Sequence, residues 1–194
     1  MATLGEISLD RMMRSVEKVR ERLLKATSAL EKAGIPYAVA GGNAVAAWVS
    51  RINEEAVRNT RDVDILLRRS DFAAATDALT AAGFHHIQLL DVEKFLDGPD
   101  GNPSGGVHIL FAGEKVKPNY EGPSADVTDS QRGPDFYVVE LEPLVRMKLM
   151  SNRDKDRTHL RDMIGVGLID ASWPARFSPA LAARLQELLD NPDG

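Results

Sequence analysis

The chain has 194 residues, enough to bury the core of one sizeable domain, or of a compact domain with a small helical appendage, and too few for two large domains. Its 24 Lys and Arg against 29 Asp and Glu leave a net charge of −5, which argues against a coating of nucleic acid or an anionic membrane and confines any polyanion site to a local patch. Cysteine is absent, so disulfides, thiolate nucleophiles, Cys-ligated zinc and iron–sulfur clusters are excluded together, and the remaining chemistry rests on oxygen and imidazole. No apolar run approaches the ~20 residues of a membrane span, and Met1–Asp10 lacks a basic stretch followed by an apolar one. With 43% hydrophobic and 27% charged residues the expectation is a globular, soluble, cytoplasmic protein.

From Leu9 to Ala33, apolar residues recur at three-to-four spacing (Leu9, Met12, Met13, Val16, Val19, Leu23, Ala26, Leu30), which predicts an amphipathic helix ending at Gly34. Tyr37–Ala40 predicts a buried strand running into a Gly41-Gly42 turn, followed by a short helix over Ala44–Val49. Arg51–Arg61 is polar and patternless, as an exposed loop is, and Arg61–Leu67 alternates charge with aliphatic side chains, as a strand does at a solvated rim. Ser70 and Asp71 predict the cap of a helix over Phe72–Ala82. Strands follow at Phe84–Leu90 and Val107–Phe111, paired as a hairpin across the turn-rich Asp97–Gly106, and a last strand at Phe136–Leu141. Gly113–Pro134 has no periodicity and reads as a functional loop or a partly disordered one. Helices are expected at Leu144–Met150, Asp154–Val166 and Ser178–Leu189. The order describes an α/β (α+β) core over residues 1–141 and a helical extension over 142–194 packed on it.

Asp62 and Asp64 stand two apart on a predicted strand, so both carboxylates leave one face while Val63 and Ile65 enter the packed layer. Carboxylates about 7 Å apart along a strand suit a hard divalent cation with oxygen ligands, magnesium foremost; two solvated rim acids read equally well from the pair alone. Gly41-Gly42 between a strand and a helix lets backbone N–H groups approach an anion, and otherwise makes a tight turn. Asn43 is placed to cap the helix or to touch a phosphate or sugar.

Ala40-Gly-Gly-Asn-Ala44 followed by Thr60-Arg-Asp-Val-Asp-Ile-Leu66 resembles the signature of the DNA polymerase β-type nucleotidyltransferase superfamily. More narrowly, it is similar to the abortive-infection and toxin-type branch. Leu144-Val-Arg-Met-Lys148, Arg153-Asp-Lys-Asp156 and His159-Leu-Arg-Asp162 are similar to the helical motif that follows the core there, so the likeness covers roughly residues 30–170. The resemblance implies a mixed β-sheet flanked by helices and transfer of a nucleoside monophosphate from an NTP to RNA, protein or a small molecule. It implies that Asp62 and Asp64 hold Mg2+, with Mn2+ as an alternative, that Gly41, Gly42 and Asn43 bind phosphates, and that Lys148 sits by the nucleotide with Asp162 as its polar partner. An antitoxin-like protein partner belongs to the same expectation. Basic residues from Arg146 to Arg161 would supply local positive charge, against a plainer reading as a solvated helix.

Two features depart from the family's pattern. The span from Gly42 to Asp62 is longer than its compact form, so Arg51–Arg61 reads as an insertion. The family's third carboxylate, on a later strand, is matched here by His108 in Val107-His108-Ile109. His108 is open to four readings: the base for an acceptor hydroxyl, a ligand favouring manganese, cobalt or zinc, the mark of a site that has lost catalysis, or a structural residue. Glu140 is the substitute third acid. His85 and His86 point to opposite strand faces and cannot share a metal, and His159 is expected to hydrogen-bond within the helical extension. The alternative function is a degenerate nucleotidyltransferase-fold protein that binds nucleotide, RNA or a protein partner without transfer.

Overall fold

A computed structural model describes residues 8–99, 101–102 and 105–192; the first seven residues, and positions 100, 103 and 104 of the turn-rich segment, lie outside the described residues. The first helix, α1 (Leu9–Lys32), buries Leu23, Ala26 and Leu30 against the sheet. Its apolar stripe runs beyond what the sheet covers: Leu9, Met12 and Met13 are more than 60% exposed. The helix closes as its sequence requires, with Gly34 at φ 68° while Gly34 N–H bonds Glu31 O and Ile35 N–H bonds Leu30 O, a Schellman end.

The chain then forms β1 (Ala38–Ala40), α2 (Gly41–Ser50), β2 (Val63–Leu67), α3 (Phe72–Ala81), β3 (Phe84–Leu89), β4 (Val92–Asp97), β5 (Val107–Phe111), β6 (Ser130–Arg132) and β7 (Tyr137–Val139). Helices α4 (Leu141–Ser151), α5 (Asp154–Gly165) and α6 (Pro179–Asp190) complete it. The seven strands make one mixed sheet in the order β3-β4-β5-β2-β1-β7-β6, with β1–β7 and β2–β5 parallel and the other neighbours antiparallel. Strand alternation splits the core. Val63, Ile65, Leu67 and Ile109 face α1 and α3, whereas Ala38, Ala40 and Leu66 face α2 and the C-terminal helices, with which they share one buried cluster. No described helix is long and apolar enough to cross a membrane.

Four local expectations change. Gly41 and Gly42 are the first turn of α2 rather than a turn before it. Neither Ser70 nor Asp71 makes a side-chain cap; a single turn of 3-10 helix, Arg69–Asp71, leads into α3. Strand β4 intervenes between the two strands expected to pair, so β3 turns back at Leu90-Asp91 onto β4, and β4 pairs with β5. Val-Glu-Lys-Phe-Leu-Asp is made a strand by bonding on both edges, which its own composition does not announce. The 113–134 segment is ordered by Ser124, whose hydroxyl donates to Phe111 O at 2.7 Å and whose N–H donates to Glu114 O at 2.8 Å, and it ends in β6.

Candidate active site

The register of the central strands sets Ala40, Asp64, His108 and Lys94 side by side across β1, β2, β5 and β4. Asp62 precedes β2 and shares the face of Asp64. Both carboxylates and the His108 ring are between a fifth and a third exposed, open at one end of a cleft. His108 Nδ1 stands 3.4 Å from Asp64 Oδ1, and Nε2, buried and without a hydrogen-bond partner, 3.8 Å from Asp62 Oδ1. Burial pushes the Asp64 carboxyl up, but the His108 hydrogen bond and the charges of His108, Lys148 and Lys155 outweigh it and hold the group below the ordinary carboxylate range.

Gly41 belongs at this point because a side chain there would overlap the Asp64 carboxylate, and its φ of 63° already disfavours one. A Cβ on Gly42 would come within 2.9 Å of Thr60. The pair therefore lets β2 and the end of the 51–61 loop press against the start of α2, leaving that helix N-terminus open to an anion beside the carboxylates. Asn43 does not cap the helix: its Nδ2 donates to Asp62 O at 2.8 Å and pins the carboxylate loop to α2.

Lys148 is buried, as its apolar neighbours on α4 suggest, yet its partner is Asp156, not Asp162. Lys148 Nζ donates to Asp156 Oδ1 at 3.1 Å. Asp156, 1% exposed, also accepts from Ser151 Oγ at 2.7 Å, from Arg153 Nε at 2.7 Å and from the Arg153 N–H at 3.3 Å. Burial opposes ionisation, but Arg153, Lys148 and Ser151 pull the carboxyl down to about 2. Burial holds the Lys148 ammonium below the usual lysine value against the pull of Asp156 and Asp64. Asn152, left-handed at φ 46°, ends α4, and Arg184 of α6 caps it by donating to Leu149 O at 2.7 Å, which fixes where Lys148 emerges.

Asp162 takes a bidentate pair from Arg58 at 2.9 and 3.0 Å, holding the end of the insertion in the cleft wall. His159 does not bond within the extension: it lines the cleft with Nδ1 unpartnered, and burial, reinforced by Lys148, depresses its ring to about 4. Glu140 is exposed at the start of α4 and is not among the cleft residues. Of the basic run, Lys148, Arg153 and Lys155 reach the cleft, while Arg157 pairs with Glu187 and Arg161 bonds Asn191 O.

These groups line a cleft of about 710 Å3, within the range of ligand sites. The rest of its wall comes from Arg58 to Arg61 at the end of the insertion, from Val116, Lys117, Tyr120 and Ser124 of the segment read as a functional or partly disordered loop, and from Leu89, Val92 and Lys94 of the β3–β4 hairpin, which sequence reasoning missed. The signals available were basic and aromatic residues inside an otherwise unpatterned stretch. Asp62, Asp64 and His108 do not form a three-ligand cage, and among the described residues no group of three His, Cys, Asp or Glu side chains is disposed to hold a metal ion. The His108 ring is turned to the carboxylates instead of converging with them on a common point. The donor chemistry nonetheless fits magnesium, which is commonly held by one or two carboxylates together with substrate phosphates.

No protein-family profile matches the sequence, and no curated protein matches it. Solved structures do. An antigenic nucleotidyltransferase-like protein from Paracoccidioides brasiliensis aligns with a TM-score of 0.60 at 18% identity, covering 92% of this chain and 91% of that one. The antibiotic-resistance factor ANT(2'')-Ia aligns with a TM-score of 0.58 at 13% identity, covering 91% and 92%. The chain is similar to these along nearly its whole length, and its fold is that of the nucleotidyltransferases.

Proposed function

We propose that this protein transfers a nucleoside monophosphate from an NTP to a hydroxyl acceptor. The observation that carries the reading is the placement of Asp62 and Asp64 between the glycine start of α2 and the cations Lys148, Arg153 and Lys155. A triphosphate meets backbone N–H groups of α2 on one side and these cations on the other, and the carboxylates hold Mg2+ or Mn2+ against it, supplying charge neutralisation at the phosphoryl oxygens. The acceptor oxygen attacks the α-phosphorus, a P–O bond forms there, the bond to the β-phosphate breaks, and pyrophosphate leaves. His108 Nε2, the ring nitrogen without a hydrogen-bond partner, takes the hydroxyl proton. Lys148, oriented by Asp156, faces the leaving charge. Incubation with labelled NTP, Mg2+ or Mn2+ and cellular RNA, protein or small molecules tests it: transfer is expected in the native protein and lost in Asp62→Ala and Asp64→Ala, and transfer that persists in both variants refutes the assignment.

One observation favours a second reading. His108 lies within 3.4 and 3.8 Å of the two carboxylates, where a third acid would otherwise stand, so binding without transfer is its chemical alternative. NTP binding without transfer in the native protein, together with metal-dependent transfer in His108→Asp, would establish that reading and displace the first.

A further inference from the structure

The cleft continues past the carboxylates onto one face of β4. Alternation along β4 turns Phe95 into the core beneath α1 and α3 and leaves Val92 and Lys94 on the cleft face. Register carries this face outward from Asp64 through His108 to Lys94, and Leu89 of β3 stands opposite Val92. Leu89, Val92 and Val116 are 47, 43 and 49% exposed around it, far more than the aliphatic residues of the neighbouring strands. Lys117 and Tyr120 of the 113–134 segment line the same cleft.

The charge of the lining is one-sided. Its acids are Asp62, Asp64 and Asp156, and Asp156 is already committed to Lys148, Ser151 and Arg153. Its cations include Arg61, Lys94, Lys117 and Lys155 in addition to those bonded to Asp156. The α2, α4 and α5 side of the cleft accounts for the triphosphate; the β4 face lies on the other side of His108 from Asp64, and Lys117 follows the exposed Val116 in the wall of the same cleft.

We infer that this aliphatic platform holds the acceptor, and that the acceptor is an anionic alcohol: a hydroxyl compound with an apolar or planar body and a phosphate or carboxylate that meets Lys117. The inference rests on the nucleotidyl-transfer reading and assigns that site its second substrate. The hydroxyl then approaches His108 from the β4–β5 side, opposite the helix N-terminus that takes the phosphates. A polycationic acceptor is disfavoured, because it would meet like charge across the whole rim.

The test is acceptor binding to the full chain saturated with a nonhydrolysable NTP and Mg2+, by calorimetry, with probes that separate the two recognition elements. Adenosine 5′-monophosphate carries a planar body and an anion, adenosine only the first, glycerol 3-phosphate only the second, and a polyamine sugar neither. The expected order places adenosine 5′-monophosphate at least tenfold ahead of adenosine and of glycerol 3-phosphate, with the polyamine sugar weakest. Lys117→Glu is expected to cost the phosphate-bearing probes tenfold or more and leave adenosine unchanged, while Val92→Asp weakens both adenosine and its monophosphate. An oligonucleotide ending in the same nucleotide distinguishes a chain end from a free small molecule as the source of this chemistry. Equal or tighter binding of the polyamine sugar, or indifference of the monophosphate to Lys117→Glu, overturns the inference. Failure of the native chain to bind the NTP overturns the underlying reading instead.

Discussion

The buried pair Lys148–Asp156 supports both the fold and the proposed chemistry, and its two halves are not equivalent. Asp156 accepts five hydrogen bonds, one from Lys148, one from Ser151 and three from Arg153, at 1% exposure. Asp156→Ala leaves Lys148 as a buried cation deprived of its carboxylate and frees the start of α5, so a loss of about 3–5 kcal/mol in unfolding free energy is expected. Linkage supplies a second magnitude. A carboxyl at about 2 in the folded chain and near 3.8 when unfolded contributes about 2.5 kcal/mol. The folded value is depressed, so this contribution is complete above the unfolded pKa and is lost as pH falls from about 4 towards 2. Lys148→Met behaves differently, because Asp156 keeps Ser151 and Arg153: a stability loss below about 2 kcal/mol is expected, with transfer reduced about 100-fold or more. Urea unfolding of the native chain and both variants at pH 7 and pH 3, with transfer measured alongside, decides it. An Asp156→Ala cost below about 1 kcal/mol, or equal costs for the two variants, would falsify the account of a carboxylate-centred network.

Three other expectations follow from the same geometry. The His159 ring, depressed to about 4, is neutral when folded and takes up a proton on unfolding below its ordinary pKa; stability should therefore fall from pH 6.5 to 4 by about 2 kcal/mol after discounting its partial exposure, and His159→Gln should remove that slope in denaturation curves. Gly41→Ala places a Cβ on the Asp64 carboxylate, whereas Gly34→Ala meets nothing within 4 Å; both strain a positive φ by about 1 kcal/mol, but thermal melts should show the larger loss, and NTP titration the loss of binding, only at Gly41. Asp162→Asn disturbs an Arg58 that is 56% exposed, so its cost in stability should stay below about 1 kcal/mol and its effect on NTP affinity below tenfold; a larger drop in affinity would show Asp162 acting on the nucleotide directly.

Elements defined by local pattern were legible from the sequence. The period of α1 and its Gly34 stop, the Asp62–Asp64 strand, and the helices after residue 140 depend on neighbours within a few positions, and the structure keeps them with small changes of boundary. The alignment of His108 with Asp64 was also within reach, since two apolar strands with a polar residue at matching positions admit few registers. The reading failed where the partner is remote. Strand β4 exists because β3 and β5 bond its edges, Lys148 chooses Asp156 because α4 and α5 meet at a left-handed Asn152, and Asp162 turns to Arg58 from a loop 104 residues earlier.

What the amino-acid order determined by itself was the inventory: oxygen and imidazole chemistry in a cysteine-free chain, paired carboxylates on one strand face, and glycines where a helix begins. Its net charge of −5 ruled out a general coating of polyanion and left a local site open. Only the tertiary structure decided where the positive charge gathers. The residues that line the cleft arrive from six separate stretches of chain, and electrostatic and hydrogen-bond energies depend on distance in space, which sequence separation does not report. An acidic chain thereby presents a basic cleft, with exposed aliphatic side chains in its wall.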